Sequence, residues 1–300
     1  MSTSPESHAL REHLVAMAAR FEAEPDMGLD SMREMFDTLR NRQAEPTDVT
    51  YEEVTAGDRP AMWARPLSAV AGRVVLYTHA GGFIAHDMNT SRKLAGHLAK
   101  AAGAVALIPD YRLAPEHPFP AAIGDAVSAY RHLLDAGYQP HRIAFAGESA
   151  GGNLAAATLV KARQLGLPLP GAYVGLSPWF DLLGELPSFD SGTDAFLVRP
   201  VSQLMAGMYL AGHDANTPLA NPRYADLKGF PPSYVTAGAD ESLVDAVTDF
   251  SDRARAAGVD VTIEIAPDMQ HAFQWMAGRA PEADQSISRI GDWLRTRLAS

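Results

Sequence analysis

A serine set among small residues, Gly147-Glu148-Ser149-Ala150-Gly151, is the part of this sequence best suited to covalent chemistry. A serine hydroxyl attacks well only when a neighbouring base takes its proton. The apolar run at residues 143–146 reads as a strand, and the Ala-rich stretch from about Gly152 reads as a helix. A sharp strand-to-helix turn strains the backbone of its central residue and admits only small flanking residues. Gly147, Ala150 and Gly151 meet that demand. Such a turn would place Ser149 Oγ beside a helix N-terminus, whose field favours developing negative charge. The alternative is a chance Gly/Ser turn, and the strand before and helix after argue against it.

Negative charge on an attacked carbonyl oxygen needs two or more N–H donors. His79-Ala80-Gly81-Gly82-Phe83 follows an apolar strand, and its glycines let backbone approach a ligand closely. Gly81, Gly82 and Ala150 are therefore the expected oxyanion donors. His79 precedes the nucleophile and is expected to orient this loop. Downstream of Ser149 the histidines are His213 and His271. His271 follows a strand and precedes the last helix, where open α/β sheets place their sites. It is the expected general base. The acid, which fixes the imidazole tautomer, is sought after the preceding strand. Asp240 and Glu241 both stand there, with Asp245 further on, and residue chemistry leaves the choice between Asp240 and Glu241 open.

These groups need a scaffold. Leu10, Leu14, Met17 and Phe21, then Leu29, Met32, Met35, Phe36 and Leu39, recur at helical spacing. Strands are expected at residues 49–55, 61–65, 73–78, 104–109, 142–146, 172–176, 233–237 and 259–265. Helices are expected at 91–102, 121–135, 150–165, 243–257 and 281–298. Short apolar strands alternating with amphipathic helices imply a mostly parallel sheet with helices on both faces. Residues 181–227, rich in Gly, Pro and Ser with a helical piece at 201–210, interrupt this rhythm. An excursion of that length is more often functional than structureless. The division expected is N-terminal cap helices at 1–45, a catalytic core at 46–180 and 228–300, and a cap insertion at 181–227.

The chain has 300 residues, 47% of them hydrophobic and 20% charged, with a net charge of −11, so it has enough apolar surface for a sizeable core. The acidic balance argues against nucleic acid as a partner. The absence of cysteine excludes a thiol nucleophile, thiolate metal sites and disulfides. The N-terminal stretch has no signal-like apolar run and nothing is long enough to span a bilayer, so a cytoplasmic location is expected.

Three stretches together resemble the hormone-sensitive-lipase-like (family IV) esterases of the α/β-hydrolase superfamily. They are His79–Phe83, then Asp110-Tyr111-Arg112-Leu113-Ala114-Pro115-Glu116-His117-Pro118-Phe119-Pro120-Ala121, then Gly147–Gly152. The likeness continues through Ser177-Pro178-Trp179, Gly229-Phe230-Pro231-Pro232 and His271. It implies the α/β-hydrolase fold with a helical cap, hydrolysis of carboxylic esters or lactones through an acyl-Ser149 intermediate, and no metal or organic cofactor. Aligning Leu243 and Asp245 to the family's D-P-L-R-D pattern puts Glu241 in the catalytic place. Self-association, as dimers pairing near the last strand, follows from the same likeness. The chain departs from the pattern at Ala80 (glycine in the family), Glu148 (Asp or Thr) and Ser242 (proline). Those departures point to a side branch near the monoterpene lactone hydrolases. The expected substrate is small to medium and apolar, against Phe83, Trp179, Met205, Met208 and Tyr209. A non-catalytic binding protein, like the plant gibberellin receptors, and an acyltransferase are the alternatives. The first lacks the histidine base that this chain retains.

Overall fold

The computed structural model describes residues 3–299. The chain opens with α1 (Pro5–Ala23) and α2 (Leu29–Asp37), then forms β1 (Val49–Ala56), β2 (Arg59–Pro66) and β3 (Val74–Thr78). There follow α3 (Met88–Ala102), β4 (Val105–Pro109), α4 (Ala121–Asp135), β5 (Ile143–Glu148), α5 (Ala150–Gln164) and β6 (Ala172–Leu176). After a long excursion that contains α6 (Arg199–Leu210), the chain completes β7 (Ser233–Gly238), α7 (Val244–Ala256), β8 (Val261–Ala266) and α8 (Pro281–Arg297). Every expected strand and helix is present, with ends moved by a few residues. The largest shift has a local cause. Helix α3 starts three residues early, at Met88, because the Asp87 carboxylate accepts the Thr90 N–H at 2.8 Å and caps it there.

The eight strands form one sheet in the order β1-β2-β4-β3-β5-β6-β7-β8. The β1–β2 and β2–β4 pairs are antiparallel and the rest are parallel. Alternation along each strand feeds two cores. Val75 and Tyr77, Ala144 and Ala146, and Ala172 and Val174 face one side, with α3 and α8 through Leu94, Leu98, Ile290 and Leu294. Val74 and Leu76, Ile143 and Phe145, and Tyr173 face the other, with α4, α5 and α7 through Tyr130, Leu133, Leu159, Val247 and Phe250. Both faces being covered, the central strands are apolar throughout rather than alternating with polar residues.

The topology places a crevice. From β3 the chain steps outward to β4, then crosses back to β5 on the far side of β3. The loops leaving β3 and β5 therefore diverge, and open parallel sheets bind ligands at such a switch point. The β3 loop carries Gly81 and Gly82, and the β5 loop carries Ser149. The β5–α5 turn passes the end of β3 with no room for side chains. A Cβ on Gly151 would lie 2.0 Å from Thr78 O, and one on Gly147 would lie 2.6 Å from the same oxygen.

The segments at either end of the sequence and in the excursion are tied to this body. Ser4 and Ser7 hydroxyls donate to Glu282 Oε2 at 2.7 and 3.0 Å, docking α1 on α8. Arg33 of α2 donates to Ile84 O at 2.7 Å and pairs with Glu116. Phe36 of α2 meets Phe196 of the excursion edge to face, 5.5 Å between centroids.

The close approach at the turn yields a stability test. Gly151→Ala puts a methyl group against backbone that cannot yield, and it is expected to cost about 3 kcal/mol or more. The urea midpoint should fall with little change in slope. A midpoint equal to wild type would mean that β3 and α5 do not approach this closely.

Candidate active site

Ser149 occupies φ 55°, ψ −122°, a region that a residue with a Cβ enters only at a cost of order 1–3 kcal/mol. The backbone around it is fixed at both ends. Its N–H donates to Leu176 O at 2.9 Å, and its carbonyl accepts from Trp179 N–H at 3.0 Å and Asn153 N–H at 3.1 Å. Asn153 in turn donates its amide to Trp179 O and Ala220 O, at 2.8 and 3.0 Å. The N–H of Ala150, in the first turn of α5, has no intrahelical acceptor. Gly81 (φ 103°) and Gly82 (φ 61°) take the left-handed conformation that glycine permits, and their N–H groups have no backbone acceptor among the described residues. Ala80, at the departure from the family pattern, keeps an ordinary negative φ and is fully buried, so a methyl group is accommodated there.

Ser149, His271, Gly81 and Gly82 line one cavity together with Leu14, Phe36, Leu39, His86, Phe196, Leu197, Met205 and Trp275. Its volume is ≈ 30 Å³. A water needs about 10–15 Å³ of such volume, so the space holds roughly two. The expected pocket residues separate here. Met205 lines the cavity, packed over Gly82. Phe83 stacks on Tyr209 at 3.8 Å and lies tilted to Trp179 at 6.1 Å, and these three rings are buried outside the lining. Met208 is partly buried against the core, also outside it. His213 packs edge to face on Phe119, 5.2 Å away, and does not reach the cavity.

The two candidate acids also separate. Glu241 is 1% exposed, and its Oε1 lies 3.7 Å from His271 Nδ1. That is an ion-pair distance rather than a hydrogen bond, and catalytic contacts commonly tighten when ligand binds. Its Oε2 accepts from Ser177 Oγ at 2.6 Å and Gly238 N–H at 3.0 Å. Asp240 instead faces a surface depression with His8, Arg11 and Asp268. Burial alone would lower the His271 pKa, but the Glu241 carboxylate, with Asp194 and Glu148 beyond it, outweighs burial and leaves the pKa above the ordinary value. His79 is buried and neutral, its pKa lowered to about 3 by burial. Its ring stacks on Tyr111 at 3.9 Å, its Nδ1 lies 2.9 Å from Ala80 O, and Tyr111 OH donates to His79 O at 2.7 Å. It braces the glycine loop, as its place in the sequence suggested.

Several residues of the site had no role in the sequence reading. Ser177 links Glu241 to the His271 loop, since its Oγ also accepts the Ala272 N–H at 3.0 Å. It stands in the quoted Ser-Pro-Trp run, which was the available signal. Trp275 lies edge to face on His271 at 5.7 Å. His86, Phe36 and Leu14 wall the cavity from segments whose periodicity revealed only that they are helical or loop. The long 110–121 motif also acquires its reasons. Tyr111 holds the glycine loop, Arg112 pairs with Asp125 of α4 at 2.8 Å, and Glu116 pairs with Arg33 of α2 at 2.7 Å.

Glu148 faces away from the cavity and is fully buried. Burial pushes its carboxyl up to about 7, against the opposing pull of the Ser91 hydroxyl, which donates at 2.5 Å. A carboxyl with a raised folded pKa binds more protons folded than unfolded between about 4.5 and 7, so stability falls as pH rises through that window. Glu148→Gln keeps an acceptor for Ser91 and removes the ionisation. Relative to wild type it is expected to be more stable at pH 8 than at pH 5, by on the order of 3 kcal/mol. Urea unfolding of both proteins at the two pH values checks this. An equal difference at both would place the carboxyl's titration elsewhere.

Comparison with known proteins gives this arrangement its context. The profile of a family described as the alpha/beta hydrolase fold matches residues 75–275. An acetyl-hydrolase of Streptomyces hygroscopicus is 38% identical over 288 residues, covering 89% of this chain and 96% of that protein. A carboxylesterase of Mycobacterium tuberculosis is 36% identical over 232 residues, covering 72% of this chain and 71% of its own. The crystal structure of an esterase from the bacterial hormone-sensitive lipase family superposes with a TM-score of 0.92 at 40% identity, covering 99% of this chain and 100% of that one. With a strained serine, a glycine loop and a histidine around one cavity, and with these relatives, the chain belongs to the α/β-hydrolase fold family and is a carboxylic ester hydrolase of the hormone-sensitive-lipase-like kind.

Proposed function

We propose that this enzyme hydrolyses esters of short acyl chains, acetyl foremost, through Ser149, Glu241 and His271, with Gly81, Gly82 and Ala150 as oxyanion donors. The observation that carries the reading is the cavity, where the serine, the histidine and the glycine loop meet in a space of ≈ 30 Å³. His271 takes the Ser149 proton as Oγ adds to the ester carbonyl. The three N–H groups hold the resulting oxyanion. His271 then gives the proton to the departing alcohol, and later activates the water that releases the acid and restores Ser149. Glu241 keeps the imidazole's Nδ1 proton in place and balances its charge. In a lactone the departing alcohol stays tethered, and the chemistry is unchanged.

Residues 1–45 and 181–227 act in this reading as the cap. They supply Leu14, Phe36, Leu39, Phe196, Leu197 and Met205 to the cavity wall, so acyl length is set by cap side chains. The Streptomyces relative's acetyl-hydrolase name supports the small acyl group. A second copy of the chain would pair along β8, which ends the sheet with a free edge and exposes Ile265. Among the described residues no helix is long and apolar enough to cross a membrane.

Acid release at constant pH over linear esters of rising acyl length and lactones of rising ring size tests the assignment. Ser149→Ala is expected to lose roughly 10⁵-fold or more in kcat. Wild-type kcat/KM should be highest for acetyl and propionyl esters. Met205→Ala should raise the rate on six- and eight-carbon chains about tenfold relative to acetate, the scale of one or two methylenes in a pocket. A wild-type preference for long chains or for rings would overturn the short-acyl reading. Because the base must be neutral to act and its pKa is raised, the acid limb of kcat/KM should have its midpoint above 6.5.

A further inference from the structure

The loop at residues 193–197 belongs to the excursion before β7, yet it is fastened to both loops that carry the acid and the base. Asp194 is buried, 8% exposed. Its Oδ1 accepts from the N–H groups of Phe196 at 2.9 Å and Leu197 at 2.8 Å. Its Oδ2 accepts from Ser242 N–H at 2.8 Å. Three donors and no acceptor select the ionised carboxylate. Ser242 follows Glu241 directly. On the other side of the loop, Ala195 N–H donates to Gln270 Oε1 at 2.7 Å and Gln270 Nε2 donates to Thr193 O at 3.1 Å, and Gln270 precedes His271 directly. Ser188 adds a further tie, its hydroxyl donating to Ser242 O at 2.6 Å. Phe196 and Leu197, whose N–H groups Asp194 holds, line the cavity.

A buried charge is costly unless something offsets it. For a strut alone, a neutral amide or hydroxyl would be cheaper. Burial raises the Asp194 pKa, and the His271 charge together with the three N–H donors opposes that rise, while the Asp194 charge in turn favours the His271 imidazolium. The carboxylates whose charge acts on the imidazole are Glu241, Asp194 and, from outside the cavity, Glu148. The contact to Ser242 also stands at a departure from the D-P-L-R-D pattern. The pattern has proline at that position, and a proline has no N–H to give.

We propose that Asp194 is a positioning residue for the reaction, holding the Glu241 loop against the acyl-pocket wall and supplying the second negative charge that stabilises the His271 imidazolium formed at each acyl transfer. The inference rests on the assignment of Glu241 and His271 made above. It makes the cap a participant in acid–base chemistry as well as a wall.

The test compares Asp194→Asn, Ser188→Ala, Ser242→Pro and His271→Ala on an acetyl ester across pH, with thermal unfolding of each. Asp194→Asn is expected to lower kcat about tenfold or more with KM within about twofold. It should also move the acid limb of kcat/KM to lower pH, because one of the charges favouring the protonated imidazole is gone. Ser188→Ala, which removes a tie but no charge, should lower the melting temperature and leave the limb in place. If the Asn protein does not fold, Ser242→Pro carries the test, since it removes one donor and keeps the charge. It should lower kcat with the limb unmoved, and a wild-type kcat would overturn the proposal. A folded Asp194→Asn enzyme with wild-type kcat and limb, beside an inactive His271→Ala, would sink this inference alone. An active His271→Ala enzyme would sink the triad assignment and this inference together.

Discussion

Everything at this site depends on one strained backbone. Ser149 at φ 55° is held there by the hydrogen bonds of its own N–H and carbonyl to β6 and the loop beyond. That arrangement needs β5 to end where α5 begins, with β3 close enough that Gly147 and Gly151 can carry no side chain. The same closeness brings the β3 loop to the nucleophile. Strain, glycine content and the placement of the proposed oxyanion donors are therefore consequences of one packing requirement. A bulge or an extra residue on either strand would separate the hydroxyl from the N–H groups that must share its substrate.

The second dependency runs through Ser177 and Asp194. Glu241 and His271 lie on loops after different strands, and their contact is 3.7 Å, too long to hold itself. Ser177 spans them from the end of β6, its hydroxyl donating a hydrogen bond to Glu241 and accepting one from the N–H after His271. The loop around Asp194 spans them from the other side. Two independent braces leave Glu241 and His271, the acid and base of the proposed mechanism, little freedom to drift apart. Rigid positioning of this kind is where much of a catalytic advantage arises.

How much of this was legible in the sequence follows from how local each signal is. The nucleophile turn, the glycine loop and the strand–helix alternation depend on neighbours within about ten residues, and the architecture follows them closely. The end of β7 that bears both candidate acids was also legible, but favouring Glu241 over Asp240 required a resemblance. Their difference is which way each points after the strand ends, and only the packed loop decides that. The aromatic residues Phe83, Trp179 and Tyr209 were sensible pocket candidates by type and position. With Phe83 stacked on Tyr209 and tilted against Trp179, they gain more from mutual burial than from lining a cavity. The tie from Asp194 to the Glu241 and His271 loops gave no sequence signal, because the partners that make it lie 48 residues away at Ser242 and, through its neighbour Ala195, 75 away at Gln270.

The cavity's smallness has a physical origin in that same long-range assembly. Its wall combines side chains from α1, α2, the excursion and the β3 loop, elements that meet only in the folded chain. Phe36 packs on Phe196 and on His86, and Arg33 fastens α2 to the carbonyl of Ile84, just beyond Gly81 and Gly82. Enlarging the pocket therefore means moving α2 or α6 as units, against several contacts at once, or shortening one side chain such as Met205. The second route is far cheaper, since it leaves the ties of Arg33 and Asp194 intact. In the proposed mechanism, acyl selectivity can thus change by single substitutions in the cavity wall while Glu241, His271 and the glycine loop stay where the sheet puts them.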